Sequence, residues 1–366
     1  MNRVSALSLI ATSVLLGLNV SSPLHAHESL SAEEIKLLKE MLADYELKNS
    51  SKLVINSKNK QEITAKAKVL FLKGSTSEPF NYTVMQSDGS SEDCDDGSCD
   101  VKSVDDTSGT GYEIEIGYRP ENSPYFAFGK YRQLYANGKD SITLKEGQAG
   151  GLFEFTDEPQ EEICHASEAP CDVYGSQSLF SDKWSVGAGI NFQPTNYLTL
   201  SPSLGITKVF VKESRYAYSG AISSNASVYS NSTYDGWGPQ LGFGASVVVA
   251  KNLSLNLDTS AAITYGDILS KYKNDDDATG TPRVSSSQST WVPVLGAAVG
   301  ISYDIDFSES FVLNLNGGYE IDYLLGATSI IGSGSYDQED SGEFMGSKGD
   351  VFFGGFNLGL GMTYKF

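Results

Sequence analysis

The sequence predicts an all-β protein: a transmembrane, antiparallel, up-and-down β-barrel with a short N-terminal periplasmic helix. The strand count is about ten, within a range of 8 to 12. Three observations predict it. From residue 63 onward apolar side chains recur at every second position, the period of a strand whose side chains alternate between two faces. The connections between these runs alternate short and long. The terminal stretch VFFGGFNLGLGMTYKF sets Phe352, Phe356, Leu358, Leu360, Met362, Tyr364 and Phe366 on one face and small or polar residues on the other.

Before the strands come two other segments. Arg3 stands ahead of the apolar run ALSLIATSVLLGLNV and then SSPLHA. A basic start, a short apolar core and a small residue at its end are the pattern of a secretory signal cleaved after Ala26. An uncleaved anchor is the alternative, although no later run approaches the roughly 18 apolar residues of a membrane helix. Residues 27–62 read as a helix and linker. Ser31 with Glu34 forms a capping box, and Ile35, Leu38, Leu42 and Tyr45 follow at helical spacing. A helix this short packs on something or self-associates, so a homo-oligomer is among the expected partners.

The barrel then occupies residues 63–366. The expected strands begin with Ile63 to Phe71, Tyr112 to Tyr118, Tyr125 to Tyr131, Trp184 to Phe192 and Leu198 to Ile206. Trp237 to Val249, Leu253 to Ile263, Trp291 to Tyr303, Phe311 to Tyr323 and the terminal stretch complete ten. PENSP, PTN, AKN and DIDFSES are brief turns, whereas 74–110, 135–182, 212–235, 265–290 and 324–350 read as long polar loops. Short turns at one end and long loops at the other are the layout of a bacterial outer-membrane barrel, with the loops outside and both termini periplasmic. A soluble sandwich would have no reason to alternate its loop lengths. Nor would it flank its apolar face with aromatics at both ends. Here Trp184, Trp237, Trp291 and Tyr323 lie near the long loops, and Phe192, Tyr197, Tyr303 and Phe311 near the short turns. The expected partners are therefore outer-membrane lipid and, through the aromatic-ended last strand, the barrel-assembly machinery.

Composition narrows the function. With 46 acidic and 26 basic residues the net charge is −20, which excludes nucleic acid as a partner. The acid clusters in solvated loops such as SDGSSEDCDDGSCD. That segment fails as a calcium loop: with Gly97 at the turn, Cys94 takes a ligand position and Ser103 replaces the bidentate Glu. The four cysteines of an exported chain read as disulfides, locally paired as Cys94 with Cys99 and Cys164 with Cys171. A zinc site is the rival, and its spacing is poor. No metal and no cofactor is expected.

The segments GYEIEIGYRPENSPYFAFGKYRQ, KWSVGAGINFQPTNYLTLSPSLGITKVF, DGWGPQLGFGASVVVAKNLSLNLDTSAAITYG, WVPVLGAAVGISYDIDF and FNLGLGMTYKF come in an order that resembles the Legionella-type major outer membrane protein family of pore-forming proteins. The resemblance covers roughly residues 111–366. Asp235-Gly236-Trp237-Gly238-Pro239 matches a strand-opening element of that family, with Gln240 where many relatives carry a basic residue. The resemblance implies an outer-membrane, surface-exposed pore.

An enzyme is not expected. Barrel proteases and acyl hydrolases use histidine as a base near neutral pH. The three histidines are His25, His27 and His165, none of them on the last seven expected strands. What faces inward is more informative: Glu113, Glu115, Arg119, Lys130, Arg132, Asp258, Glu320 and Asp322, with Lys66 and Lys68 on the first strand. Cross-strand pairs should bring Glu113 or Glu115 to Lys130 or Arg132. Either these charges line a narrow channel for ions and small solutes, with a mild cation preference, or they form an ionic plug in a surface scaffold or adhesin. Small inward residues such as Gly187, Gly189, Ser203, Gly242, Asn256 and Asn316 favour the channel, since a solid barrel needs bulkier filling.

Overall fold

A computed structural model describes residues 60–77, 80–86, 99–104, 107–144, 149–152, 171–220, 225–276, 283–331 and 346–366. The cleavage site at Ala26, the helix of 27–62 up to residue 59, and Cys94 and Cys164 lie outside the described residues. Cys99 and Cys171 are described only as backbone at the start of strands.

In chain order the strands are β1 (Glu62–Thr76), β2 (Phe80–Gln86), β3 (Cys99–Val104), β4 (Thr107–Arg119), β5 (Tyr125–Leu144), β6 (Ala149–Leu152) and β7 (Cys171–Ile190). There follow β8 (Phe192–Thr195), β9 (Leu198–Gly220), β10 (Asn225–Ala250), β11 (Leu253–Asp276), β12 (Arg283–Ser308), β13 (Phe311–Ile331) and β14 (Gly346–Lys365). One sheet runs β10-β11-β12-β13-β14-β1-β4-β5-β7-β9, and β9 pairs again with β10. The sheet thus closes on itself as a ten-stranded antiparallel barrel, with β8 a short extra strand beside β9. The ten expected strands are its ten staves.

Closure rests on the seam between the first and last strands. β1 pairs with β14 from Glu62 opposite Lys365 to Thr76 opposite Val351. The backbone N–H of Phe366 donates to the carbonyl of Gln61 at 3.0 Å, so pairing continues to the final residue. At the short-turn end, asparagine supplies the left-handed backbone that two of the tight turns need: Asn122 has φ 52° and Asn252 φ 63°.

Alternation sorts the side chains as the period-two pattern predicts. Val186, Leu204, Trp237, Leu241, Trp291 and Phe356 point outward and are more than 60% exposed. Toward the short turns their inward neighbours are mostly glycine, serine, asparagine and a group of charged residues. A wall that is apolar outside and polar inside is the inverse of a water-soluble domain, and lipid is the solvent that suits it.

The long connections differ from the sequence reading. Residues 135–144 and 171–182, read as loop, continue β5 and β7. Residues 212–220 and 225–235 continue β9 and β10, and 265–276 and 283–290 continue β11 and β12. Within 74–110, β2 and β3 join β6 in a separate three-stranded sheet ordered β3-β2-β6. The girdle tryptophans therefore sit mid-strand. Above them the outer face carries Asn231, Thr233, Ser287 and Ser289, so the alternation loses its apolar half while the backbone ladder persists.

Closure makes a direct prediction. Removing residues 357–366 exposes unpaired edges on both β1 and β13. The full chain, refolded in mild detergent, should run at different gel positions before and after boiling. The truncated chain should run only at the boiled position and lose its β-type circular dichroism.

Candidate functional site: a layered barrel interior

Seven inward-facing charges meet at mid-height because the strand registers place them side by side. Glu113 on β4 stands opposite Lys68 on β1 and Arg132 on β5. Arg132 is the hub. Its Nε donates to Glu113 Oε2 at 2.6 Å, its guanidinium lies 3.1 Å from Glu320 Oε1, and it also pairs with Asp322. Lys130 Nζ lies 2.9 Å from Glu113 Oε2 and Lys68 Nζ 3.1 Å from Glu113 Oε1. Lys183 on β7 donates to Asp322 Oδ1 at 3.3 Å, and Asn357 Nδ2 to Glu320 Oε2 at 3.1 Å. Glu113 is only 1% exposed. Charges buried this deeply survive only as a mutually compensating set, because any one left alone would carry a large desolvation cost.

The other sequence-predicted residues lie toward the short turns. Glu115 pairs with Lys66 at 3.0 Å, and Arg119 with Glu62 at 2.5 Å. Asp258 is exposed on the wall of a cavity of about 560 Å³ that reaches from the mouth to the ionic layer. Ser201, Ser203, Asn256, Ser260, Asn314 and Asn316 also line it. Sequence reasoning missed Lys183 and Glu62. Lys183 lies one residue before the first strand position read on β7, and Glu62 was assigned to the linker. The inward parity of each strand, carried one more step, would have found both.

Above the ionic layer the interior is filled, contrary to the expectation that its residues are too small. Leu70, Leu72, Leu134, Leu179, Val209, Val211, Tyr234, Ile268, Val292, Val294, Leu324 and Phe353 form one buried cluster, each 5% exposed or less. Leu179, Tyr234, Ile268 and Leu324 come from segments that the sequence reads as loops; Leu70, Val292, Val294 and Phe353 lie on the expected strands, and the other four just beyond them. Glycine and serine dominate only the lower half. The Tyr234 hydroxyl is 2.7 Å from Thr264 Oγ1, which itself donates to the Val292 carbonyl at 3.0 Å, so the polar tip of the largest filler is satisfied.

A second polar layer caps the apolar one. Arg215 Nε donates to Glu213 Oε1 at 2.6 Å, Gln177 Nε2 donates to the same oxygen at 2.8 Å, and Arg215 lies over the Phe80 ring at 5.8 Å. The bore thus reads, from the short-turn end, as cavity, ionic layer, apolar layer and second polar layer. Among the described residues no three His, Cys, Asp or Glu side chains are placed to hold a metal ion.

Two substitutions separate a buried network from an exposed pair. Arg132→Ala leaves Glu113, Glu320 and Asp322 without their shared cation and should cost about 3–5 kcal/mol of stability. Lys66→Ala removes one partner of a half-exposed pair and should cost at most about 1 kcal/mol. Urea-induced loss of the heat-modifiable form, measured for each variant, checks both.

Residues 56–363 match the family described as Legionella pneumophila major outer membrane protein precursor. Among solved structures, the outer membrane protease OmpT from Escherichia coli is 10% identical, with 83% of this chain and 97% of that chain covered and a TM-score of 0.43. The translocator domain of autotransporter NalP from Neisseria meningitidis is 12% identical, covering 93% and 100%, with a TM-score of 0.27. A major outer membrane protein from Thermus thermophilus is 12% identical, covering 84% and 99%, with a TM-score of 0.26. No curated protein matches.

Proposed function

We propose that this chain, which belongs to the Legionella pneumophila major outer membrane protein family, works as a closed outer-membrane barrel that presents its long-loop end at the cell surface. The observation that carries this reading is the apolar layer from Leu70 to Phe353, which fills the bore between two polar networks. A water file needs polar partners or open volume at every level, and side chains that are 5% exposed or less leave it neither. On this reading the extended staves, together with the β3-β2-β6 sheet, form a rigid platform beyond the outer leaflet, suited to structural or adhesive contact. Both termini then lie in the periplasm, and the aromatic-ended β14 is the segment offered to the assembly machinery. No catalytic activity is assigned, because no histidine occurs between residues 166 and 366 to serve as a base.

A second reading, a narrow channel for ions and small solutes, is favoured by one observation. The lower half of the bore is a polar space of about 560 Å³ that leads directly to a layer of charges. For that reading the apolar layer is a gate and the ionic layer a filter.

Purified protein in a planar bilayer distinguishes the two. The closed reading expects no discrete conductance steps from the wild type, and steps from Leu134→Ser combined with Leu179→Ser and Tyr234→Ser. Steps from the wild type, with a cation-directed reversal potential that Glu113→Gln and Glu115→Gln weaken, would establish the channel instead.

A further inference from the structure

The cavity below the ionic layer has two features that bear on what it can hold. The first is a pair of aromatic rings facing inward. Phe126 and Phe128 on β5 line the cavity, their centroids 6.2 Å apart and their planes inclined by 36°. They lean across onto β7, where Gly189 and Gly187 stand opposite them in register. A Cβ at Gly189 would lie 2.4 Å from Phe126 Cζ, and one at Gly187 would lie 2.8 Å from Phe128 Cε1. The glycines therefore do more than ease curvature: they let two rings lie against the wall instead of filling the bore.

The second feature is a set of polar atoms left without partners. Gln240 Oε1 and Asn316 Oδ1 are buried acceptors, and Arg119 Nε a buried donor, with no hydrogen-bond partner among the described residues. All three residues line the cavity. Buried polar atoms are normally paired, so these residues add hydrogen-bonding capacity to a wall already lined by serine and asparagine. An occupant that fits this wall offers hydrogen-bonding groups to the polar side chains and apolar surface to the phenylalanines.

We infer that this cavity is a binding site for a saccharide of one or two rings. A sugar has hydroxyls that both donate and accept, matching a wall of serine and asparagine, and a C–H face that suits an aromatic ring. A hydrocarbon would strand the serines and amides. A multiply charged anion would meet Asp258 and Glu115 as well as the lysines. The volume, about 560 Å³, falls within the range of roughly 300–1,000 Å³ of small-molecule sites. The site goes beyond the closed-barrel reading and does not depend on whether the layer above it opens.

The test is titration of the folded, heat-modifiable protein with maltose and with N,N′-diacetylchitobiose, in a zwitterionic detergent that carries no sugar. Saturable calorimetric binding of at least one is expected. Phe126→Ala with Phe128→Ala should weaken it about tenfold or more. Gln240→Leu, which replaces the unpaired acceptor and leaves the rings, should weaken it about fivefold and carries the test if the double variant does not fold. No binding of either sugar by the wild type, or equal binding by the variants that fold, would overturn the inference. A conducting wild type that binds sugar would leave this site standing and remove only the closed reading.

Discussion

One constraint governs the rest of this molecule: a sheet in lipid has no water to satisfy its edge, so the first strand must find the last. The β1–β14 ladder meets it from Glu62 to Thr76 on one strand and from Lys365 to Val351 on the other. The fit at the seam is close. A Cβ on Gly355 would lie 2.0 Å from the Phe71 carbonyl oxygen, so a larger residue there would force the two strands to shift. Once the seam is made, register is common property of the whole barrel, and each inward residue is placed relative to every other.

That shared register explains how charges distant in sequence form one network. Arg132 and Asp322 are 190 residues apart, yet they pair because β5 and β13 present them at the same height. The network carries Lys68, Lys130, Arg132 and Lys183 against Glu113, Glu320 and Asp322, four cations to three carboxylates, with the Lys66–Glu115 pair just below. Such a layer contributes little net stability for its size, since desolvation offsets much of the Coulombic gain. Its effect is geometric: it fixes which strand faces which and separates the hollow half of the bore from the filled one.

The filled half inverts the usual logic of the fold. Within the girdles the apolar surface is outside and lipid covers it. Above them the outer face turns polar and the inner face takes over the apolar burden, through Leu134, Leu179, Val211 and Tyr234. The extensions are therefore small soluble-protein cores standing on a membrane barrel. This explains how they stay paired where lipid no longer enforces the ladder.

The sequence by itself determined the ten staves, their order, the two aromatic girdles and the inward parity of Glu113, Glu115, Arg132, Glu320 and Asp322. Strand period and turn chemistry are local, and local patterns are written in consecutive residues. Only the tertiary structure decided where the strands end, because above the girdles pairing is held by inward packing that leaves the outward residues free to be serine or asparagine. It also decided that the bore is hollow below and filled above. Whether Gly187 eases curvature or accommodates Phe128, and whether Leu134 meets Leu179 and Tyr234 or faces empty space, depends on residues on other strands. Their proximity is created by closure.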